Sequence, residues 1–411
     1  MIRDPEREIV ITGAGLCCNL GDELEDALAA LREGRRGHFE IQPEATELQC
    51  RCQVLAPYRG DVGDGALDIK KALGRFMGRA SRMAYRAAVR ALDHAGLTRK
   101  DLGVIVGSGT GDVAAHLELR SKLERTGDAK RMLPTYIPRL MSSTVSANLV
   151  NVLQTTGPSF SVAAACAGGA YNIVMAAELI ERGHIDAAIA GGVEVYDPHF
   201  YVGFDAMRAY NGEDNHRPDE ASRPYAADRA GFIFGEGAGI VVLETRRHAE
   251  ARGAEILAVL RGYGMSSDGD GEMVAPSRDG ALRAMQNAMR HAAIEPDAID
   301  YVNTHGTSTP LGDAAEVEAL RALFDGRHVL YSSTKGYTGH TISAAGTLEA
   351  IFVAMMMREG FVAPSINAEP LDPVFADYPP VREGLRRAPA RCLSNSFGFG
   401  GTNVSLVLER P

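Results

Sequence analysis

The chain alternates short apolar runs with longer amphipathic stretches, and this alternation predicts an α/β fold. Strands are predicted where apolar runs end in glycine, and helices where apolar residues recur at spacings of three and four. The predicted strands cover residues 9–15, 102–109, 160–165, 186–193, 235–244, 256–264 and 299–303, with a last strand running into a glycine turn at 391–401. The predicted helices cover residues 23–32, 77–95, 278–293, 316–323 and 345–357, and a further one begins at Cys166. Because ligands of layered α/β proteins collect where strands end, the glycine turns are the first places to look for function.

The order of the elements restarts after about residue 252, which predicts two similar halves. A strand, a helix and a strand follow one another from residue 256, and the turn at 391–401 echoes residues 161–169. The repeat lies in the topology and is not visible residue by residue. We therefore expect two domains, residues 1–252 and 253–411, with surface loops at 211–220 and 265–280.

Composition narrows the class of protein. With 411 residues and 45% apolar content the chain can bury a large core, and a net charge of -10 argues against a nucleic-acid binder. No leader pattern and no apolar segment of about 20 residues is visible, so a cytoplasmic location is expected. Six cysteines without regular spacing fit a reducing compartment and predict no metal site.

Cys166 is the candidate nucleophile. It follows the apolar run 160–165 and precedes Gly168 and Gly169, so a thiol is expected at a helix N-terminus, where the macrodipole favours the thiolate. An unpaired cysteine among alanines is more often a small buried hydrophobe, but adjoining glycines that admit a ligand favour the catalytic interpretation. The other cysteines lack this setting and are interpreted as structural: Cys17, Cys18, Cys50, Cys52 and Cys392.

Two histidines occupy settings similar to each other. His305 follows the predicted strand 299–303, and His340 ends a Gly/Thr-rich loop at residues 332–340. A lone histidine beside glycine is more often an ordinary loop residue, but two in matching contexts favour a shared role. One thiol and two imidazoles together indicate acyl-thioester chemistry.

Several segments resemble the elongating β-ketoacyl-[acyl carrier protein] synthases, which have the thiolase fold. The resemblance runs nearly end to end and depends on segments in a fixed order: 302–313 (VNTHGTSTPLGD), 334–340 (TKGYTGH) and 395–403 (NSFGFGGTN), supported by 157–158, 222–224 and 235–239. Residues 204–207 and 363–367 look closest to the type I synthases. The resemblance implies a thiolase-like layered αβαβα architecture built from two pseudo-repeated halves.

The resemblance also implies roles for the site residues. Cys166 takes the acyl chain, and the backbone N–H groups of Cys166 and Phe399 form the oxyanion hole. His305 and His340 bind the thioester carbonyl of malonyl-carrier protein and stabilise the enolate left when carbon dioxide departs. The product is a β-ketoacyl-carrier protein, made for fatty acid, polyketide or aryl-polyene biosynthesis.

Further residues receive supporting roles from the resemblance. Lys335 is expected as a catalytic residue near Cys166 or near the part of the site that receives the carboxylate, with Glu349 as its buried partner, although such a pair could also be purely structural. Thr307 and Thr309 are expected to bind the phosphopantetheine arm, and Thr110 to gate the acyl pocket. The resemblance also implies that Phe397 contacts the substrate, and that Asp313 and Glu316 support the loop and the helix cap after His305.

The resemblance implies an acyl carrier protein as partner and no tightly bound cofactor, because the carrier supplies the phosphopantetheine. A homodimer is expected, or a heterodimer with a related subunit. Basic residues either dock the acidic carrier or form a solvated helix face: Lys70, Lys71, Arg75, Arg79, Arg82, Arg86, Arg90, Lys130 and Arg131.

Departures from the family pattern indicate a specialised synthase. Ala226 and Ala230 stand where acids are usual, which predicts lost ion pairs, and Gly336 and Tyr337 replace a small residue and a methionine. Gly168 and Gly169 replace a polar pair, with Tyr171 following. These changes are expected close to the active site, where they bear on substrate choice.

Three other functions compete with condensation by this chain alone. A specialised ketosynthase would need a partner subunit. A coenzyme A-dependent thiolase would need a second catalytic cysteine where Phe397 and Phe399 stand, and Cys392 precedes that turn. A non-catalytic chain-length subunit would lack the nucleophile, but Cys166 is present.

Overall fold

A ten-stranded sheet and a three-stranded sheet run through the computed structural model, which describes residues 7–98 and 100–411. The strands of these ranges are β1 Ile9–Cys18, β2 Glu40–Ile41, β3 Val54–Ala56, β4 Gly103–Ser108, β5 Ser159–Phe160, β6 Ala187–Glu194, β7 Phe234–Gly235, β8 Gly237–Thr245, β9 Ala258–Ser267, β10 Tyr301–Asn303, β11 Leu330–Ser332, β12 Arg391–Gly398 and β13 Thr402–Glu409. The helices are α1 Leu24–Glu33, α2 Pro43–Glu47, α3 Lys71–Gly74, α4 Arg79–Ala95, α5 Val113–Thr126, α6 Tyr136–Leu140, α7 Thr144–Leu153, α8 Gly168–Glu181, α9 Pro198–Ala206, α10 Arg246–Ala251, α11 Arg278–Ala292, α12 Pro310–Leu323, α13 Lys335–Thr338 and α14 Ala345–Glu359.

The large sheet consists of two five-stranded halves with the same topology. Its order is β11-β10-β12-β13-β9-β1-β8-β6-β4-β5. Read outward from the centre, each half has two antiparallel pairings followed by two parallel ones. Strands β1 and β9 join the halves, where Val10 lies opposite Val259 and Ile11 opposite Ala258. The repeat predicted from the order of elements is therefore present, while the boundary at residues 252 and 253, in the connection between α10 and β9, stays a prediction.

Helices cover both halves and also separate them. Helices α4 and α7 pack on the outer side of the first half, and α11 and α12 on the outer side of the second. Helices α8 and α14 contact each other between the halves, within the largest apolar core. Strands covered on both faces read as continuous apolar runs, and all ten residues of β1 are buried. The layered α/β architecture is confirmed.

The segment before the candidate nucleophile differs from the prediction. The strand expected over 160–165 is only Ser159–Phe160, at the edge of the large sheet, and a short 3-10 turn, Ala165–Ala167, leads into α8. The strand already ends at Phe160, and further along Ala165 takes a left-handed φ of 44°, which excludes an extended strand over the whole run. Helix α12 also begins earlier than predicted, at Pro310, a residue suited to the first turn. No helix within 7–98 and 100–411 is both long and apolar enough to cross a membrane.

The basic cluster on α4 is largely neutralised by acids of the same chain. Lys70, Lys71, Arg75, Lys130 and Arg131 remain exposed, so the predicted docking patch is smaller than the sequence suggested. The internal ion pairs are Arg79 with Glu236 (2.8 Å), Arg82 with Asp64 (2.5 Å), Arg86 with Asp22 (2.7 Å) and Arg90 with Glu23 (2.5 Å).

Candidate active site

One cavity of about 710 Å³ brings the three candidate catalytic side chains together. Cys166, His305 and His340 all line it, although they are only 4%, 8% and 1% exposed. The first comes from one half of the fold and the two histidines from the other. The predicted binding residues that also line the cavity are Thr307, Thr309, Phe397 and Phe399.

Cys166 sits on a strained turn beneath the C-terminal glycine turn. The left-handed φ of Ala165 is a conformation that costs a non-glycine residue on the order of 1–3 kcal/mol and is often kept at functional sites. Gly398 lies directly against this turn, since a Cβ added to it would lie 3.2 Å from the nitrogen of Cys166 and 2.9 Å from the carbonyl oxygen of Ala164. The residue type at 398 therefore controls how closely the two turns approach.

Burial of the Cys166 thiol opposes its ionisation. Burial raises its pKa to about 12, the charge of Lys335 and the backbone N–H of Phe399 act to lower it, and the charge of Glu194 acts to raise it. Burial of the sulfur therefore acts against the thiolate expected from the helix N-terminus, and that thiolate stays a prediction. The N–H of Phe399 nevertheless faces the sulfur, as a group that belongs to an oxyanion hole would.

His305 and His340 form a pair of neutral rings. Their ring centroids are 5.2 Å apart and the ring planes cross at 86°. Burial, and after it the charge of Lys335, lowers the pKa of each histidine well below its ordinary value. Within the described residues, Nδ1 of His305 and both ring nitrogens of His340 have no hydrogen-bond partner. The rings can thus offer N–H groups to a ligand in the cavity.

A buried carboxylate fixes the loop that carries His305. Glu316 on α12 accepts the backbone N–H groups of His305 and Gly306, each at 2.9 Å, and the side-chain amide of Asn395 at 3.0 Å. Burial raises the pKa of Glu316 to about 7. The same acid therefore ties the His305 loop to strand β12, which leads into the glycine turn.

Asp313, one turn earlier on α12, supports the same region. It accepts the backbone N–H groups of Ser308 at 3.1 Å and Tyr225 at 3.0 Å. His340 is held by main-chain bonds instead: its N–H donates to Ile233 at 2.7 Å. Main-chain contacts thus position both histidines, so the imidazole nitrogens are not needed to hold the rings in place.

Lys335 and Glu349 form a buried ion pair behind the cavity. Nζ of Lys335 donates to Oε1 of Glu349, both residues are buried, and neither lines the cavity. Burial raises the pKa of Glu349 to about 7. Because the Lys335 charge lowers the pKa of Cys166 and of both histidines, this ammonium acts on the site through its field.

The predicted binding residues fall into two groups. The hydroxyls of Thr307 and Thr309 lie 3.0 Å apart on the cavity wall, and the ring of Phe397 lies 5.8 Å from that of His305. Thr110 does not line this cavity, and its hydroxyl donates to Glu194 at 2.8 Å. Glu194 was not singled out in the sequence, although a carboxylate at the end of an otherwise apolar strand was the available signal.

Two departures from the family pattern lie away from the cavity. Tyr337 is fully buried, and its hydroxyl donates to the carbonyl of Pro364 at 3.1 Å. Ile366 packs closely against Gly336, where an added Cβ would lie 2.7 Å from its Cγ1. These two residues do not line the cavity, and their effect on substrate choice stays a prediction.

The alanines that replace acids do not leave Arg229 unpaired. Its Nη1 lies 2.7 Å from Asp372, and its Nε lies 3.4 Å from Asp313. The prediction of lost ion pairs around Ala226 and Ala230 is wrong, since Asp372 and Asp313 supply the countercharge to Arg229. Ala230 does line the cavity. Among the described residues, no group of three or more His, Cys, Asp or Glu is placed to hold a metal ion.

Comparisons with known proteins identify the family of the chain. The β-ketoacyl synthase N-terminal domain matches residues 6–249, and the β-ketoacyl synthase C-terminal domain matches residues 257–369. The chain is 39% identical over 410 residues to 3-oxoacyl-[acyl-carrier-protein] synthase 1 of Haemophilus influenzae, covering 98% of this chain and 99% of that protein.

Solved structures with the same fold cover nearly the whole chain. A β-ketoacyl synthase from Burkholderia phymatum has a TM-score of 0.92 and 34% identity, with 98% of this chain and 99% of that one covered. The ishigamide ketosynthase/chain length factor has a TM-score of 0.89 and 30% identity, with the same coverage. Fold and site together define an acyltransferase with the thiolase fold. Within that class, the chain belongs to the β-ketoacyl synthase family.

Proposed function

We propose that this protein catalyses the decarboxylative Claisen condensation of an acyl group held on Cys166 with malonyl-acyl carrier protein. The observation that carries the proposal is the convergence of Cys166, His305 and His340 on one cavity. The products are a β-ketoacyl-carrier protein and carbon dioxide, and the pathway that we propose is fatty acid biosynthesis, in line with the names of the relatives.

The first step transfers the acyl group to sulfur. The Cys166 sulfur forms a bond to the acyl carbonyl carbon, and the bond to the phosphopantetheine sulfur breaks. The proton of the Cys166 thiol leaves with the phosphopantetheine thiol, so a thiol with a raised pKa suits a step in which the proton is exchanged and not lost. The backbone N–H groups of Cys166 and Phe399 hold the tetrahedral oxyanion.

The second step makes the carbon–carbon bond. The malonyl group loses carbon dioxide, and the N–H groups of His305 and His340 stabilise the enolate oxygen. The enolate carbon attacks the acyl carbonyl, the bond to the Cys166 sulfur breaks, and the departing thiolate takes one proton from solvent. Neutral imidazoles suit this role because they donate without introducing two cations into a buried site.

The phosphopantetheine arm is the only cofactor-like group that we propose, and the carrier brings it. Thr307 and Thr309 offer hydroxyls along the cavity wall. The mouth of the cavity exposes Met273 and Leu311, at 72% and 71%, which suits an apolar arm or helix of the carrier. The exposed cations that we propose for its acidic surface are Lys70, Lys71, Arg75, Lys130 and Arg131.

We further propose a dimer and a cytoplasmic location. Strand β5 forms the edge of the large sheet, and a bare edge pairs readily with a second one. Ile137 on α6 is exposed although apolar, as an interface residue would be. All six cysteines are unpaired, which suits a reducing compartment. Sedimentation of the purified chain tests the dimer, and a monomer would favour the heterodimer.

Substitution of the three converging side chains tests the reaction. Cys166→Ala should abolish condensation while decarboxylation of malonyl-carrier protein remains, because the enolate site is intact. His305→Ala and His340→Ala should each lose decarboxylation while Cys166 still accepts an acyl group. Unchanged condensation by Cys166→Ala would refute the mechanism, and decarboxylation by both histidine variants would refute their assignment.

A specialised synthase that works with a partner subunit is the second candidate. It is favoured by the 30% identity to the ishigamide ketosynthase/chain length factor over nearly the whole chain. The thiolase alternative has no support at the site, because Cys392 lies buried within β12 and does not line the cavity. Intact-mass measurement after incubation with a panel of acyl carriers identifies the group that is loaded.

A further inference from the structure

The two segments that carry the histidines diverge from adjacent strands of the large sheet. Strands β10 and β11 run parallel, and their pairing ends where Asn303 lies opposite Ser332. One residue further, the N–H of Thr304 still donates to the carbonyl of Ser332 at 3.0 Å. Beyond that point one segment leads to His305 and the other, through helix α13, to His340. The separation of the two imidazoles therefore depends on contacts made past the ends of these strands.

Ser333 makes such a contact to both segments. Its hydroxyl donates to the carbonyl of Gly306 at 2.7 Å, and the same oxygen accepts the backbone N–H of Lys335 at 3.1 Å. Ser333 is fully buried and does not line the cavity, so it supports the site from behind and does not bind substrate. One serine oxygen thus joins the residue after His305 to the first residue of α13.

The peptide groups on either side of Gly306 are both held. The N–H of Gly306 donates to Glu316 at 2.9 Å, and its carbonyl accepts the Ser333 hydroxyl. Gly306 has a left-handed φ of 34°, and a Cβ added to it would lie 2.7 Å from Cβ of Ser333. Because the two chains approach so closely, a movement of Ser333 would be transmitted to Gly306, which lines the cavity beside His305.

The other end of the bridge is the first turn of α13. The N–H of Lys335 has no acceptor within its own helix, because it belongs to the first residue, and Ser333 supplies that acceptor. Helix α13 covers only Lys335–Thr338, and the N–H of Gly339 closes it by donating to the carbonyl of Lys335 at 2.9 Å. His340 follows directly. A single helical turn, held at its first residue by Ser333, therefore sets where His340 lies.

We propose that Ser333 is a positioning residue for the enolate site: by bridging Gly306 and Lys335 it sets the separation of the rings of His305 and His340. This inference rests on the proposed function, because it assigns the two imidazoles to one enolate oxygen. A misplacement of about 1 Å can cost on the order of a hundredfold in rate. Loss of the hydroxyl should therefore slow decarboxylation and spare the transfer of an acyl group to Cys166.

The test compares two half-reactions in Ser333→Ala. The kcat for decarboxylation of malonyl-carrier protein should fall by about tenfold, and KM should stay within about twofold, because the cavity wall that receives the arm is unchanged. Acylation of Cys166 by an acyl-carrier protein, followed by intact mass, should also stay within about twofold of wild type. A role in stability alone would lower both rates together or neither, so the ratio of the two rates identifies positioning.

Ser332→Ala is the matched control. Ser332 is the preceding residue and is also fully buried, and its hydroxyl donates to the carbonyl of Ala363 at 2.7 Å. That bond has the same length as the bond from Ser333 to Gly306, but it runs to the segment after α14. The two alanine variants should lose similar free energies of unfolding in denaturant titrations. Only Ser333→Ala should change the ratio of decarboxylation to acylation.

Two outcomes overturn the inference: a wild-type ratio in Ser333→Ala, or an equal change of the ratio in Ser332→Ala. Should Ser333→Ala fail to fold, Ser333→Cys decides, because a thiol fills the site but is a weak donor, and a wild-type ratio there defeats the inference. A wild-type protein that does not decarboxylate malonyl-carrier protein would instead defeat the proposed function, so the two failures are distinguishable.

Discussion

Glu316 accepts the backbone N–H of His305 at 2.9 Å, so a buried acid on α12 sets the position of a candidate catalytic ring. The contact is made to the main chain, and the imidazole keeps its nitrogens for a ligand. The second carboxylate oxygen of Glu316 accepts the N–H of Gly306, also at 2.9 Å. The acid therefore has two amide donors that a neutral side chain of the same shape cannot both satisfy.

Glu316→Gln should lower both activity and stability. A glutamine keeps one acceptor oxygen but turns an N–H₂ group toward a backbone donor, and an unsatisfied buried donor costs about 1–3 kcal/mol. The unfolding free energy should fall by that amount, and decarboxylation of malonyl-carrier protein by at least about tenfold. Glu318→Gln, on the exposed side of the same helix, is the matched control and should change neither.

Decarboxylation should be insensitive to pH where ordinary histidines titrate. The pKa values of His305 and His340 lie well below the usual 6.5, chiefly because of burial, so both rings stay neutral as the pH falls through 6.5. The rate measured with wild-type protein should stay flat through that region. A fall in the decarboxylation rate with a midpoint near pH 6.5 would contradict the lowered pKa values of His305 and His340.

The lowered pKa values of His305 and His340 also predict that the free energy of unfolding depends on pH. Below 6.5 the unfolded chain binds protons at both histidines and the folded protein does not, so their contribution is present above 6.5 and declines as the pH falls. Each histidine should contribute a slope of about 1.4 kcal/mol per pH unit below that value. His305→Asn should show a shallower acid limb than wild type in denaturant titrations, and an identical limb would contradict the prediction.

The rate of Cys166 alkylation should depend on the charges of Lys335 and Glu194. Iodoacetamide reacts with the thiolate, so its rate should keep rising well beyond pH 9.0, the ordinary value for a cysteine. Lys335→Met removes a charge that lowers the pKa and should slow alkylation at a fixed pH, whereas Glu194→Gln removes a charge that raises it and should speed alkylation. Shifts in the same direction for both variants would contradict the opposed roles.

The nucleophile helix should tolerate no side chain at its first residue. A Cβ added to Gly168 would lie 2.5 Å from Oγ of Ser343, so Gly168→Ala should cost about 1–3 kcal/mol of stability and slow acylation of Cys166. Ser343→Ala removes that oxygen and should rescue the variant, because the next contact, to Cβ of Ser343, lies at 3.5 Å. A double variant no better than Gly168→Ala would show that the contact is not the cause.

Much of the fold could be predicted because strands buried on both faces carry their own signal. The runs at 186–193 and 235–244 became β6 and β8 with small changes at their ends. The run at 160–165 looked alike, but its strand lies at the sheet edge and ends at Phe160, and the left-handed φ of Ala165 excludes an extended strand at the far end of the run. Apolar pattern alone does not distinguish an edge from a centre, so this error was unavoidable.

The site divides in the same way. Cys166, His305 and His340 stand in segments whose glycines and order along the chain point to one chemistry, and the structure brings them to one cavity. The groups that hold these segments are remote in sequence: the carbonyl of Ile233 accepts the N–H of His340, and Asn395 donates to Glu316. Such pairings depend on how distant strands and loops meet, which residue types in a local window do not encode.

Because the site lies between the two halves of the fold, activity depends closely on the position of one half relative to the other. The short contact of β1 with β9, the helices packed between the halves and the bridge of Phe234 to His340 hold the sulfur and the imidazoles in register. A slip of one half against the other would part the reacting groups while every strand and helix survived. Circular dichroism would then record an ordinary spectrum for a protein that had become inert.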